Sequence, residues 1–262
     1  MSLDSITIKK LAAHLEEAEL TRTAVVKITD AHPALGIADA YLIQDEIRAR
    51  KIARGARVVG FKMGFTSLAK MRQMGVSDPI FGFLTDQAMC RDGADIDTST
   101  LIHPKVEAEL ALVTNRPLKG PGCHVGAVLA AIDHVLAAVE VIDSRYENFR
   151  FDLASVIADN TSAARYVLGN TTRTPAGLDL RNLGIVLEKN GTVMATASGA
   201  AVVGHPAASV AMLANLLGAR GSEIPAGSLI LTGGATEAFP VEAGATVTAR
   251  FQHVGTVSMR FT

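Results

Sequence analysis

The chain has 262 residues, 48% apolar and 19% charged, which is long enough for a sizeable core and too apolar to stay disordered. Lys and Arg number 25 against 26 Asp and Glu, a net charge of −1 that gives no electrostatic footing for nucleic acid or an anionic membrane. The start, Met1-Ser2-Leu3-Asp4-Ser5, has no leader pattern, no run approaches the ~20 apolar residues of a membrane span, and Cys90 and Cys123 are too few for a disulfide framework, so a reducing cytoplasm is the expected address.

Ile8, Leu11, Leu15 and Ala18 recur at helical spacing and predict a helix over 5–22. Ile37, Tyr41, Ile43, Ile47 and Ile52 predict a second over 37–54, with Gly55 as its stop and a His32-Pro33 turn between the two. Beyond Gly55 the pattern changes to short runs rich in Val, Ile, Leu and Ala, punctuated by Gly, Pro and Asn. Strands are expected at 58–62, 106–113, 135–142, 184–188, 193–203, 228–231 and 246–251. Asn190-Gly191 between two of them reads as a hairpin turn. Thr66-Ser67 opens a short helix through about Met74, and residues 206–218 form a late helix with Pro206 in its first turn. The fold class is α+β: an N-terminal helical domain, 1–55, and a strand-rich catalytic domain, 56–262.

The sharpest feature is Lys105-Val106-Glu107-Ala108-Glu109-Leu110. Residues two apart in a strand face the same way, so Glu107 and Glu109 project side by side, roughly 7 Å apart. They form either the wet face of an amphipathic strand or a pair of acids set into a cleft. Glu140 follows the apolar run Val135–Val139, a strand expected to be buried on both faces. An ionised carboxylate there needs a partner: a structural Lys or Arg, or a divalent cation shared with Glu107 and Glu109. Three carboxylates without clustered His or Cys suit a hard ion, Mg²⁺ or Mn²⁺, over Zn²⁺. Lys62 interrupts an apolar run, and its ammonium meets either a core carboxylate or a substrate carboxylate. Asp78-Pro79 and Asp159-Asn160-Thr161-Ser162 by themselves are turn chemistry and a polar break. Gly233-Gly234 lacks the Lys and spacing of a phosphate loop, no Gly-x-Ser-x-Gly elbow is present, and His103, His205 and His253 are read as structural.

Several segments together carry a resemblance: Gly60–Ser67, Gly75–Pro79, Val106–Glu109, Glu140–Arg145 and Ala158–Ser162, in order along nearly the whole chain. The chain resembles the fumarylacetoacetate hydrolase superfamily, more closely its hydratase/decarboxylase branch from bacterial meta-cleavage degradation of aromatic compounds. Within that branch, Lys70–Val76, Ser144-Arg145-Tyr146 and Gly204-His205-Pro206 look like the decarboxylases of 2-oxohex-3-enedioate rather than the 2-hydroxypenta-2,4-dienoate hydratases. The resemblance implies a mixed β-sheet or roll core of that superfamily with a small N-terminal helical domain. It also implies Mg²⁺ or Mn²⁺ on Glu107, Glu109 and Glu140, with Lys62 and Asp78 as catalytic residues and Ser162, Thr66 and Ser67 at the substrate. A homo-oligomer and a complex with the 2-hydroxypentadienoate hydratase are the implied associations. Thr232-Gly233-Gly234-Ala235-Thr236 departs from the Thr-Gly-Thr-Pro wording of the hydrolases, which disfavours carbon–carbon hydrolysis.

The implied chemistry suits these residues. Loss of the C6 carboxylate sends two electrons through the C3–C4 double bond onto the C2 oxygen, and a divalent cation at that oxygen is a Lewis acid for the resulting dienolate. Lys62 adds a second cation, oriented by Asp78. An apolar surround from Met71, Met74 or Phe65 is expected at the departing carboxylate, with Lys70 and Arg72 on the wet face of their short helix. The alternatives are the hydratase, and a silent scaffold for the hydratase; a silent subunit should have lost one of the three acids, and this chain keeps all three.

Overall fold

The computed structural model describes residues 3–67, 71 and 79–262. Asp78, Lys70, Arg72, Met74 and most of the helix expected after Ser67 lie outside the described residues.

Helix α1 (Ser5–Thr21) starts where the Asp4 carboxylate accepts the Thr7 amide at 2.8 Å and stops where Arg22 turns left-handed. Its buried stripe, Ile8, Leu11, Leu15 and Ala18, is the predicted one. Helix α2 (Ile37–Ala53) buries Tyr41, Ile43 and Ile47, whereas Ile37 and Ile52, at its two ends, are half exposed. Gln44 takes a buried place on that face because its amide donates to the Phe81 and Ile157 carbonyls at 3.0 and 2.9 Å. Glu16 of α1, 2% exposed, is paired by Arg50 and Arg54 and clamps the two helices together. The helices share one apolar core with the strands that follow.

The strands in chain order are β1 (Val58–Gly64), β2 (Ile80–Thr85), β3 (Met89–Cys90), β4 (Ala94–Ile96), β5 (Lys105–Thr114), β6 (Ile132–Ile142), β7 (Ala163–Leu168), β8 (Gly184–Lys189), β9 (Thr192–Ser198), β10 (Leu229–Leu231), β11 (Phe239–Pro240), β12 (Thr246–Phe251) and β13 (Gly255–Phe261). Helices α3 (Val125–Ala131), α4 (Leu153–Ala158) and α5 (Pro206–Ala219) complete the described elements. One mixed sheet runs β2-β1-β10-β5-β6-β7-β3, with β11 beside β5; a second runs β4-β13-β12-β8-β9. The first sheet curls: the Tyr166 hydroxyl on β7 donates to the Thr85 carbonyl at the end of β2, 3.2 Å away. Its outer face carries Val106, Ala108 and Leu110 of β5 and Val139 and Val141 of β6. These pack into the main core with Val247, Ala249, Val257 and Met259 of the second sheet. The inner face holds a smaller cluster, Leu84, Ala111, Leu136, Ala138, Tyr166, Leu229 and Leu231. Period-two alternation assigns Glu107, Glu109 and Glu140 to that inner face.

The expected hairpin closes with Lys189 opposite Thr192 and with both turn residues at positive φ, 53° at Asn190 and 77° at Gly191, as a two-residue type I′ turn requires. The strand expected over 193–203 ends at Ser198, where the chain enters a 3-10 turn. Strands β2, β3, β4, β7, β11 and β13 were not among those expected. Gly199–Ala219 is apolar and long enough to cross a membrane on composition alone, against the expectation that no stretch is. Half of its most apolar window is buried inside the protein, so that apolarity serves the core.

Candidate active site

Strands β5 and β6 pair so that Glu107 lies directly opposite Glu140, with Glu109 one step further along the same face. Like charges facing each other across a ladder repel, and here water does not screen them: Glu109 and Glu140 are 0% exposed and Glu107 9%. The reading of Glu107 and Glu109 as a wet strand face is therefore overturned; the curled sheet folds that face inward. One oxygen from each carboxylate lies within 4.8 Å of the others. Glu109 Oε2 accepts the Gly233 amide at 2.6 Å, while Glu109 Oε1 and both Glu140 oxygens accept no hydrogen bond among the described residues. Orphaned, buried, all-oxygen donors converging on one point fit a hard divalent cation.

Lys62 enters from β1, 2% exposed. Its ammonium lies 2.9 Å from Glu140 Oε2, an ionic contact rather than an aligned hydrogen bond, and donates to the Thr161 carbonyl at 3.0 Å. The reading of Lys62 as the partner of a core carboxylate is what the structure shows, and the residue also lines the cleft. Burial pulls its pKa down, but the three surrounding carboxylates outweigh that and raise it. Burial, with Glu140 and Glu107 adding repulsion, pushes Glu109 well above the ordinary carboxyl range. Glu140 is pushed up to about 7, again by burial, with Lys62 opposing. One ammonium does not neutralise three acids.

The Thr161 carbonyl reaches Lys62 because Asn160, Thr161 and Ser162 are all left-handed, at φ 47°, 52° and 59°. Three such residues in a row, none of them glycine, are costly and persist only where their surroundings fix them. Asn160 is bonded both ways to Phe83 of β2, and Asp159 is held by Arg145. Ser162 is buried on the cleft wall, its hydroxyl 3.4 Å from Asp159 Oδ2. Thr66 and Ser67 line the same cleft. The loop set aside for lacking phosphate-binding chemistry backs the acids instead. A Cβ at Gly234 would fall 2.2 Å from Glu107 Oε2, and one at Gly233 2.1 Å from Thr66 Oγ1, so only glycine fits there. The dipeptide in the sequence was the available signal for this close approach.

Above the acids opens a cleft of about 720 Å³, within the range of small-molecule sites. Glu107 and Lys62 are at its base, and Phe65, Ile80, Ile142, Phe151 and Val156 supply apolar wall. Met71 is buried at 5% exposure. Of the three histidines read as structural, His205 caps α5 by accepting the Ala207 amide, and His103 packs on Phe149. Lys105, Phe149 and Phe151, none of them singled out from the sequence, also line the cleft.

Residues 57–262 match the family model for the fumarylacetoacetate (FAA) hydrolase C-terminal domain. The chain belongs to the fumarylacetoacetate hydrolase family. It is 59% identical over 251 residues to the 4-oxalocrotonate decarboxylase of Pseudomonas sp. (strain CF600), covering 96% of this chain and 95% of that one. The structure superposes with a TM-score of 0.98 on the 4-oxalocrotonate decarboxylase of Pseudomonas putida G7 complexed with magnesium and adipate. That protein is 55% identical, over 100% of this chain and 99% of its own. A hydratase of the same family, the 2-hydroxyhexa-2,4-dienoate hydratase of Comamonas testosteroni, is 36% identical over 99% of both chains. Both the α+β fold and its kinship to the decarboxylases agree with the expectation from the sequence.

Proposed function

We propose that this chain is a metal-dependent carboxy-lyase that converts 2-oxohex-3-enedioate (4-oxalocrotonate) to 2-hydroxypenta-2,4-dienoate and carbon dioxide in the meta-cleavage degradation of aromatic compounds. The observation that carries the reading is the cluster of buried carboxylates beside the cleft, several of whose oxygens accept no hydrogen bond among the described residues, in a chain far closer to the named decarboxylase than to the hydratase. Glu107, Glu109 and Glu140 hold the ion, Mg²⁺ or Mn²⁺. When bound, it supplies a Lewis acid for the C1 carboxylate and C2 oxygen of the substrate.

The chain's own residues do the rest. Lys62, whose raised pKa keeps it an ammonium, adds fixed positive charge where the dienolate develops. Because the C5–C6 bond electrons move through the conjugated system to the C2 oxygen, the bond-breaking step needs no base. Ser162, Thr66 and Ser67 bind the substrate, and Asp78 orients Lys62. The apolar wall of Phe65, Ile142 and Phe151 leaves the departing carboxylate poorly solvated, which favours its loss as neutral carbon dioxide. Residues 1–55 act as a helical buttress, and 56–262 carry the chemistry. A cytoplasmic homo-oligomer associated with the hydratase that consumes the product goes with this reading.

The test is carbon dioxide release from 2-oxohex-3-enedioate, with Mg²⁺ and after chelation. Decarboxylation should exceed hydration of 2-hydroxypenta-2,4-dienoate in kcat/KM by at least ~10²-fold, about 2.7 kcal/mol in barrier. Faster hydration on the same preparation assigns the site to a hydratase.

A further inference from the structure

Lys105 lies on β5 two residues before Glu107, so its side chain leaves the strand on the same face as the acids. Burial is graded along that face. Glu109 is fully enclosed and Glu107 nearly so, whereas Lys105 is half-buried where it lines the cleft. The face thus runs from a closed acidic floor to an open basic end. Among the described residues the Lys105 ammonium meets no carboxylate; it sits 4.0 Å from the centroid of the Phe149 ring. That ring is held in place at a conformational cost. Asn148 and Phe149 are both left-handed, at φ 55° and 56°, and the ring packs on His103 and Phe151 with centroids 4.7 and 6.5 Å away. An aromatic face attracts an ammonium without neutralising it, so the positive charge stays available to an anion.

We infer that Lys105, held on Phe149, receives the distal carboxylate of the substrate and selects 2-oxo dicarboxylates over 2-oxo monocarboxylates. This rests on the reading of the site given above. Along the strand the two positions are ~6.7 Å apart, a separation on the order of the five C–C bonds of an extended six-carbon chain, each ~1.5 Å. A single ammonium at the rim also suits a carboxylate that must leave, because a bidentate clamp would hold the ground state harder than the transition state.

Calorimetry on the Mg²⁺-loaded protein separates the contributions, using 2-oxoadipate and 2-oxohexanoate, which differ in the distal carboxylate. The wild type should favour 2-oxoadipate by about tenfold or more, the scale of one charge-assisted contact. Lys105→Met should erase that preference, Lys105→Arg should keep most of it, and Phe149→Leu should reduce it. Affinity for 2-oxohexanoate and for Mg²⁺ should stay within about twofold throughout. A preference that survives Lys105→Met, one absent from the wild type, or an equal loss of both ligands together with Mg²⁺ would each overturn the assignment. If the preference follows Lys105 while no carbon dioxide is released from 2-oxohex-3-enedioate, the reaction is misassigned and the carboxylate contact stands.

Discussion

Two buried clusters of charge lie close together in this fold and are built on opposite plans. Arg145, 3% exposed, donates from its Nε to Asp159 and from its two terminal nitrogens to the carbonyls of Asp143, Ala163 and Asp159. Asp159 in turn accepts the Arg145 amide at 3.2 Å. Burial pushes Asp159 up to about 6, against the opposing pull of Arg145, so the pair is ionised at neutral pH with its donors satisfied. The second cluster has, among the described residues, three carboxylates, one ammonium and carboxylate oxygens that accept no hydrogen bond. A cluster whose partners are complete holds a loop in place. One whose partners are incomplete is poised for something from outside the chain.

The two plans predict opposite responses to losing a charge. Arg145→Met should cost about 3–5 kcal/mol of stability, because it strands a buried carboxylate; denaturant unfolding measures it. A loss under about 1 kcal/mol would mean that the pair is not what fixes the loop at 159–162.

Glu109→Gln should do the reverse. It removes a buried acid that the metal-free fold can keep only by holding it protonated or by setting its charge beside two others, so the metal-free protein should be as stable as the wild type or more so, while Mg²⁺ affinity falls by about 10²-fold or more as ligand charge is lost. Glu107→Gln and Glu140→Gln should follow the same pattern, and excess EDTA should abolish activity in the wild type. Full activity in EDTA would sink the metal assignment. Calorimetric titration with Mg²⁺ and thermal melts read the two arms.

Lys62→Met sharpens the comparison further, since Lys62 belongs to the incomplete cluster yet pairs with Glu140. The expected loss is roughly 10²-fold in kcat/KM, about 2.7 kcal/mol, with little change in the stability of the Mg²⁺-loaded protein. Collapsed stability with normal activity per folded molecule would move Lys62 to the structural plan.

The smallest effect is the dependence of stability on pH. Glu140, pushed up to about 7, and Glu109, well above 4.5, hold protons in the metal-free folded state that the unfolded chain has already released. Their contribution is complete below the unfolded carboxyl range and is lost as pH rises through about 7, so metal-free stability should fall by about 1 kcal/mol or more over that interval. Mg²⁺ displaces those protons, and its stabilising effect should grow across the same window. Melting temperatures across the range, with EDTA and with Mg²⁺, check the sign. A stability that rises through neutral pH without metal would contradict the burial of the acids.

Features set by local stereochemistry were legible without a structure. The stripe of α1, the Asn190-Gly191 turn and α5 follow from spacing and turn chemistry over a few residues. Lys105 was harder. It shares the phase of Glu107 and Glu109, but a lysine before a strand's acids is ordinary until the burial gradient along the face is known. Phe149 carried no signal beyond the Asn148 before it. Gly233 and Gly234 were visible as a pair, but their role depends on what packs against them.

The sequence by itself determined which carboxylates exist and that Glu107 and Glu109 share a face, because alternation along a strand is a property of the backbone. Only the tertiary structure decided that the face turns inward, that Glu140 comes into register opposite Glu107, and that Lys62 is the one cation beside them among the described residues. These depend on contacts between residues far apart in the chain: Lys62 to Thr161 spans 99 positions and Glu109 to Gly233 spans 124. Pairings of that range follow from how the sheet curls and which loops close over it, and no local pattern encodes them.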